Sequence, residues 1–294
     1  MDFVTISNPG NLGDVDQVNP IPQNGGSVSY VYAMGKYEVT SDMINKANAD
    51  ANIGITLGTW PVSYGTDVNG PLRPAGGISW NEAARFVNYL NMSQGFSAAY
   101  KFTTSGANDN IALWTSGEAG FNINNPFRNS LARYVLPTAD EWYKAAYFDP
   151  NKPGGAGYWD YPTGSDSEPI AVAGGTADGT NVANWARRGP ADVNDAGGLS
   201  PYETMGQGGN VDEWNETQTG VTINGGVDGN RYIRGGTWST SPGAPNVMNA
   251  GGLAPQNEPT STGFRVVSLV PEPSSLSLLA FGGMVLALKK RRRA

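Results

Sequence analysis

The chain has 294 residues, 19 bases against 26 acids, and neither a cysteine nor a histidine. That double absence excludes disulfides, thiolate nucleophiles and thiolate metal sites, together with the commonest general base and metal ligand. Without the five terminal bases and Glu272 the body holds 25 acids against 14 bases, a balance that repels polyanions and makes nucleic acid a poor partner.

Forty glycines, 20 prolines and only 15% charged residues predict a loop-rich, mostly irregular and β domain, while 8 Trp and 13 Tyr argue for a packed core. Met1-Asp2-Phe3-Val4 opens directly as a strand, with no charged n-region or apolar h-region before it. Val28 to Val39 mixes β-branched and aromatic residues in rough alternation and predicts a second strand. Thr40 then caps a helix over Asp42 to Ala51.

Ser79 stands three residues before Glu82, a capping box that starts a helix with Ala83, Ala84, Phe86, Val87 and Leu90 as its apolar stripe. Thr138 and Glu141 repeat the device, and Trp142, Ala145, Ala146 and Phe148 face inward. From Asn151 to Gly251 the chain is rich in Gly, Pro, Asn and Asp. So much irregular backbone needs partners other than ladders, and bound cations are one candidate.

The sequence closes with Pro271-Glu272-Pro273, an apolar run from Leu276 to Leu288, and Lys289-Lys290-Arg291-Arg292-Arg293. The triplet resists helix and central strand and stays extended. The apolar run predicts a short transmembrane helix with its basic end in the cytoplasm. About 15 residues at ~1.5 Å each span roughly 22 Å, short of a ~30 Å core, which snorkelling or local thinning offsets. This order resembles the PEP-CTERM sorting signal, which implies an exosortase partner, export, anchoring in the inner membrane before processing, and delivery to the cell surface or extracellular matrix. The expected division is residues 1–269 as the body and 270–294 as the signal.

The body's islands, read in order, are Met34-Gly35-Lys36-Tyr37-Glu38-Val39-Thr40, Pro61-Val62, Ile78-Ser79-Trp80-Asn81-Glu82-Ala83 and Leu136-Pro137-Thr138-Ala139-Asp140-Glu141-Trp142. Gly209-Asn210-Val211-Asp212-Glu213-Trp214, Arg234-Gly235-Gly236-Thr237-Trp238 and Gly263-Phe264-Arg265 follow. This series resembles the formylglycine-generating, or sulfatase-modifying-factor, domain, which implies an α+β fold of the C-type-lectin kind. The resemblance implies a calcium site at the carbonyls of Gly209 and Val211 and the carboxylate of Glu213. Gly206 stands where the family usually has Asp or Asn, and Asp212 where it often has Trp. A second family site would begin at Asn184-Trp185 and lacks a clear acidic partner.

Catalysis is where the pattern breaks. The copper-binding Cys pair of formylglycine-generating enzymes falls at about Thr240 and Pro245, and related iron enzymes need a His cluster this chain lacks. The family's downstream Arg is replaced by Asn249-Ala250-Gly251-Gly252. Copper and iron are therefore not expected, and the reading is a non-catalytic exported binding or matrix protein. Its ligand, a surface polysaccharide or other glycan, is expected at the Ser239 to Thr262 face near Trp238, Trp214 and Arg234. Two alternatives stand beside it. One is an enzyme using the acids Asp140/Glu141 or Asp212/Glu213 on glycans. The other is a retroelement-diversified receptor with Ser239 to Thr262 as its variable face.

Overall fold

Three helices begin where a side-chain oxygen meets an orphan backbone N–H. In the computed structural model, Thr40 Oγ1 accepts from Met43 N at the start of α1 (Ser41–Ala51). Ser79 and Thr138 form complete capping boxes with Glu82 and Glu141 at α2 (Trp80–Ser93) and α3 (Ala139–Tyr147). The structure describes residues 1–15, 24–59, 70–172, 182–184, 189–219, 227–240, 246 and 250–269. The helices bury the predicted stripes: Trp80, Ala83, Ala84, Phe86 and Val87 from α2, and Trp142, Ala145 and Ala146 from α3. Leu90 is only partly buried at the edge of the core.

Two four-stranded sheets receive these helices. The first runs β1 (Phe3–Ile6), β2 (Tyr32–Gly35), β12 (Val267–Ser268), β3 (Tyr134–Val135), so early and late segments pair at its centre. The second runs β10 (Gly251–Leu253), β9 (Arg231–Arg234), β8 (Asp212–Gln218), β11 (Thr262–Gly263), with β8 and β11 parallel. Two small sheets, β4 (Phe148–Asp149) with β5 (Gly157–Tyr158) and β6 (Ile170–Val172) with β7 (Val182–Asn184), complete the α+β architecture.

The strand expected over Val28 to Val39 narrows to β2. Beyond Gly35 the chain serves other segments: Val39 N donates to Phe264 O and Val39 O accepts from Ala75 N. Tyr30 instead turns its hydroxyl to Glu141. Among the described residues no helix is long and apolar enough to cross a membrane. The transmembrane expectation falls on residues 276–288, outside the described residues, as does the whole sorting signal.

Candidate functional site

Loop 206–211 leads into β8 and lies against the turn after β9, because glycines permit backbone contact there. Gly209 N donates to Gly235 O at 2.8 Å, and Trp238 N to Asn210 O at 2.8 Å. Gly235 has φ 106°, and a Cβ there would stand 3.2 Å from Gln207 O. Asn210 holds a left-handed φ of 61° while its side chain bridges two segments. Its Oδ1 accepts from Ala191 N, and its Nδ2 donates to Glu38 Oε1 at 2.8 Å.

β8 then delivers Glu213 into the interior beside Arg265. The guanidinium donates to both Glu213 oxygens, and Trp142 Nε1 donates to Oε2 at 2.7 Å. Arg265 also reaches Gly35 O and Met205 O, both at 2.9 Å. It thereby ties the end of β2 to loop 205–211 and to β8. The carboxylate expected to ligate calcium thus accepts from three N–H donors, two of Arg265 and one of Trp142. A hard dication at Glu213 would have to compete with that guanidinium for the carboxylate oxygens.

A second carboxylate, Glu38, lies close by. Its Oε2 has no hydrogen-bond partner, and burial pushes the group up to about 7 against the opposing field of Arg265. Gly206, at φ 82°, makes room for it, since a Cβ there would come within 2.7 Å of the Glu38 carboxyl group. The side chain usual in the family at that position would occupy the same space. Asp212 accepts from Gly236 N at 3.0 Å, and burial raises it to about 7.

The residues expected to meet a ligand are core residues. Trp214 is fully buried and donates through Nε1 to Ile78 O at 2.7 Å. Trp238 is 6% exposed. Arg234 is 1% exposed, with its guanidinium 5.0 Å from the Tyr143 ring and 5.4 Å from that of Trp142. Arg234 thereby packs the end of β9 against α3. The proposed acid pairs are separated in role. Asp140 Oδ1 accepts from Gly26 N at 2.9 Å, whereas Glu141 pairs with Arg128.

That second pair belongs to a cluster the sequence reading missed. Arg128 Nε donates to Glu216 at 2.8 Å and its Nη2 to Glu141 at 3.1 Å. Tyr30 and Tyr100 add hydroxyl donors, one to each carboxylate. Glu216 follows Glu213 by three positions on a buried strand, and two buried acids call for two buried bases. That was the available signal, but Arg128 sits in a stretch with no periodicity to announce it.

Two of the depressions on the described surface are larger than about 400 Å³. A groove of about 490 Å³ lies over the Arg128 cluster and is lined by Tyr30, Phe96, Leu131, Arg133 and Leu269. A cleft of about 810 Å³ lies between the ends of α1 and α2 and the segment 98–114. Its walls include Tyr89, Phe102 and Trp114, with Asp50, Asn52 and Lys101 among them. Trp114 Nε1 donates to Ala99 O at 3.0 Å, which fixes the ring.

Capped helices, two mixed sheets and a glycine-built loop packed on a buried arginine–glutamate pair define an α+β scaffold of the C-type-lectin-like kind. The profile of the sulfatase-modifying factor enzyme 1-like domain matches residues 8–270, and the chain belongs to that family. A PEP-CTERM protein-sorting motif matches residues 269–293, which implies export and exosortase-dependent, membrane-associated sorting.

Among solved structures the chain is similar to Treponema denticola variable protein 1, with a TM-score of 0.58 at 19% identity over 90% of this chain and 94% of that one. It also resembles the crystal structure of CarF, with a TM-score of 0.55 at 19% identity over 92% and 99%. PvdO from Pseudomonas aeruginosa gives 0.54 at 17% identity over 91% and 94%. These likenesses show the fold alone. No curated protein matches the sequence significantly.

Proposed function

We propose that the chain is an exported surface protein that uses the sulfatase-modifying-factor scaffold for binding and not for oxidation. The observation that carries this reading is chemical. A chain without any cysteine or histidine cannot supply the thiolates or imidazoles that copper or iron oxidase chemistry needs. Arg128, Glu141, Glu216, Arg265 and Glu213 are spent on one another and on neighbouring groups, as parts of a scaffold. A sulfatase-type Cys peptide incubated with the protein, with or without copper or iron, stays unmodified by mass spectrometry. Formylglycine above a no-protein control overturns the reading.

The Ser239 to Thr262 face lies partly outside the described residues, and the face proposed here is another. With Trp214, Trp238 and Arg234 in the core, the cleft walled by Tyr89, Phe102 and Trp114 is the better place for a neutral or cationic glycan. Rigid aromatic walls with interspersed amides and charges supply large contact area at low entropic cost. Screening the protein on a glycan array, followed by Trp114→Ala, tests it. Lost retention with an unchanged circular dichroism spectrum supports the cleft, and unchanged retention of an identified glycan removes it.

A further inference from the structure

The folded body and the sorting signal have no linker between them. β12 is held on both sides, by β2 and by β3. One residue on, Leu269 N donates to Arg133 O at 2.8 Å, and Arg133 Nε donates to Ser268 Oγ at 2.9 Å. The chain is therefore pinned through Leu269, and Pro271 follows two positions later. At the ~3.5 Å per residue of an extended chain, Pro271 lies within about 7 Å of that pin. Leu276, where the apolar run starts, lies within about 25 Å.

A peptidase that engages Pro271-Glu272-Pro273 therefore works within about 7 Å of the last pinned residue of the body. The surface it meets is the 490 Å³ groove, of which Leu269 is itself a wall. On its rim Tyr30, Phe96 and Leu131 are 39%, 41% and 58% exposed, an apolar patch beside the basic Arg133. Its floor includes Arg128, which is held from beneath by Glu216 and Glu141 and so is rigid. A firm floor, an apolar rim and the root of the signal stand together.

We propose that this groove is a docking surface for the sorting exosortase, so that the enzyme reads the folded body together with the tripeptide. The proposal rests on the sorting reading of the tail. Docking beside the pinned root sets the register of the extended segment, and a body that has not closed its first sheet offers neither the groove nor a fixed root.

The test follows cleavage of the full chain by pulse-chase, in a host that carries an exosortase, with an export leader supplied. Phe96→Ser combined with Leu131→Ser is expected to slow cleavage about tenfold, the effect of losing two apolar contacts on the groove's rim. Leu12→Ser with Leu199→Ser, two exposed leucines elsewhere, is expected to leave the rate unchanged. Inserting about ten Gly-Ser residues after Leu269 is expected to slow cleavage several-fold, because the register is no longer enforced. Equal rates for the groove variant and its parent overturn docking while leaving sorting intact. Faster cleavage of the insertion variant overturns it too, since the body would then be an obstacle. If the groove substitutions also abolish association of the cleaved body with phosphatidylethanolamine and phosphatidylglycerol vesicles, the occupant is lipid and the proposal falls. No cleavage of the parent chain, with Glu272→Ala indistinguishable from it, overturns sorting and docking together.

Discussion

Arg128 and Arg265 each sit in the interior among two carboxyl groups, so each cluster sets two acids against one base. Arg128 donates to both of its partners, Glu141 and Glu216. Tyr30, Tyr100, Asn125 and the Thr138 amide supply further donors. Burial pushes Glu141 up, but Arg128, the Tyr30 hydroxyl and the Thr138 amide outweigh it and hold the carboxyl below its usual range. Of its two acids Arg265 donates only to Glu213, while Glu38 Oε1 accepts from the Asn210 amide and its Oε2 has no partner. There burial wins and the carboxyl rises to about 7. The count of acids and bases is the same in both. The supply of N–H and O–H donors decides which carboxylate stays ionised.

The sharpest way to break this comparison is to remove an arginine. Arg128→Met leaves two ionised carboxylates facing each other without a counter-ion, and is expected to cost about 3–5 kcal/mol in urea denaturation. Arg265→Met is expected to cost a similar amount. A loss below about 1 kcal/mol at either site would mean the cluster is wet or loosely held.

A smaller effect sharpens the account of Glu38. Gly206→Asp restores the side chain usual in the family, but at a left-handed φ of 82° and against the Glu38 carboxyl. Overpacking and like charge are expected to cost about 1–3 kcal/mol. Combining it with Glu38→Ala recovers part of that loss. Additive losses in the double variant would show that the two positions do not share space.

Titration gives the next test. Glu38 and Asp212 are both raised to about 7 when folded, above their ordinary 4.5 and 3.8. Between those values the folded state holds protons that the unfolded state has released. Each group's contribution is therefore full below the unfolded value and is lost as pH rises through the folded one. The melting temperature is expected to fall from about pH 5 to about pH 8, and Glu38→Gln and Asp212→Asn each flatten the slope. A melting temperature that rises across this interval refutes the assignment.

Calcium is the smallest expected effect. With the Glu213 oxygens occupied by Arg265 and Trp142, saturating calcium is expected to leave the melting curve unchanged. A site filled to ~100-fold over its Kd would add about 2.7 kcal/mol. A gain of that size, abolished by Glu213→Gln, would show that the ion displaces the guanidinium.

How far the sequence was legible follows from the range of each interaction. Helix starts are local, so Thr40, Ser79 with Glu82, and Thr138 with Glu141 announced themselves within four residues. The motif islands around Gly209 to Trp214 and Arg234 to Trp238 marked the family because their residue order is particular. Their orientation was not readable. Trp214 and Trp238 look like contact residues until the buried loop beneath them is seen. The Arg128 cluster joins residues 30, 100, 128, 141 and 216, and no local pattern encodes contacts at that separation. The loop-rich stretch after Asn151, for which cations were a candidate scaffold, is tied in part by side chains such as Asn210 and Arg265 reaching backbone groups.

β12 sits between β2 and β3, and its register sets Val267 opposite Met34. The first sheet is thus closed by a strand synthesised roughly 230 residues after the one it pairs with. Pairing at such separation makes loop closure slow and raises contact order. A chain emerging vectorially holds β1 and β2 as an unfinished edge until almost all of the body has emerged. The last step of assembly and the appearance of the sorting tripeptide are then separated by only a few residues of elongation. In chain order, the address follows directly on the strand that completes the sheet.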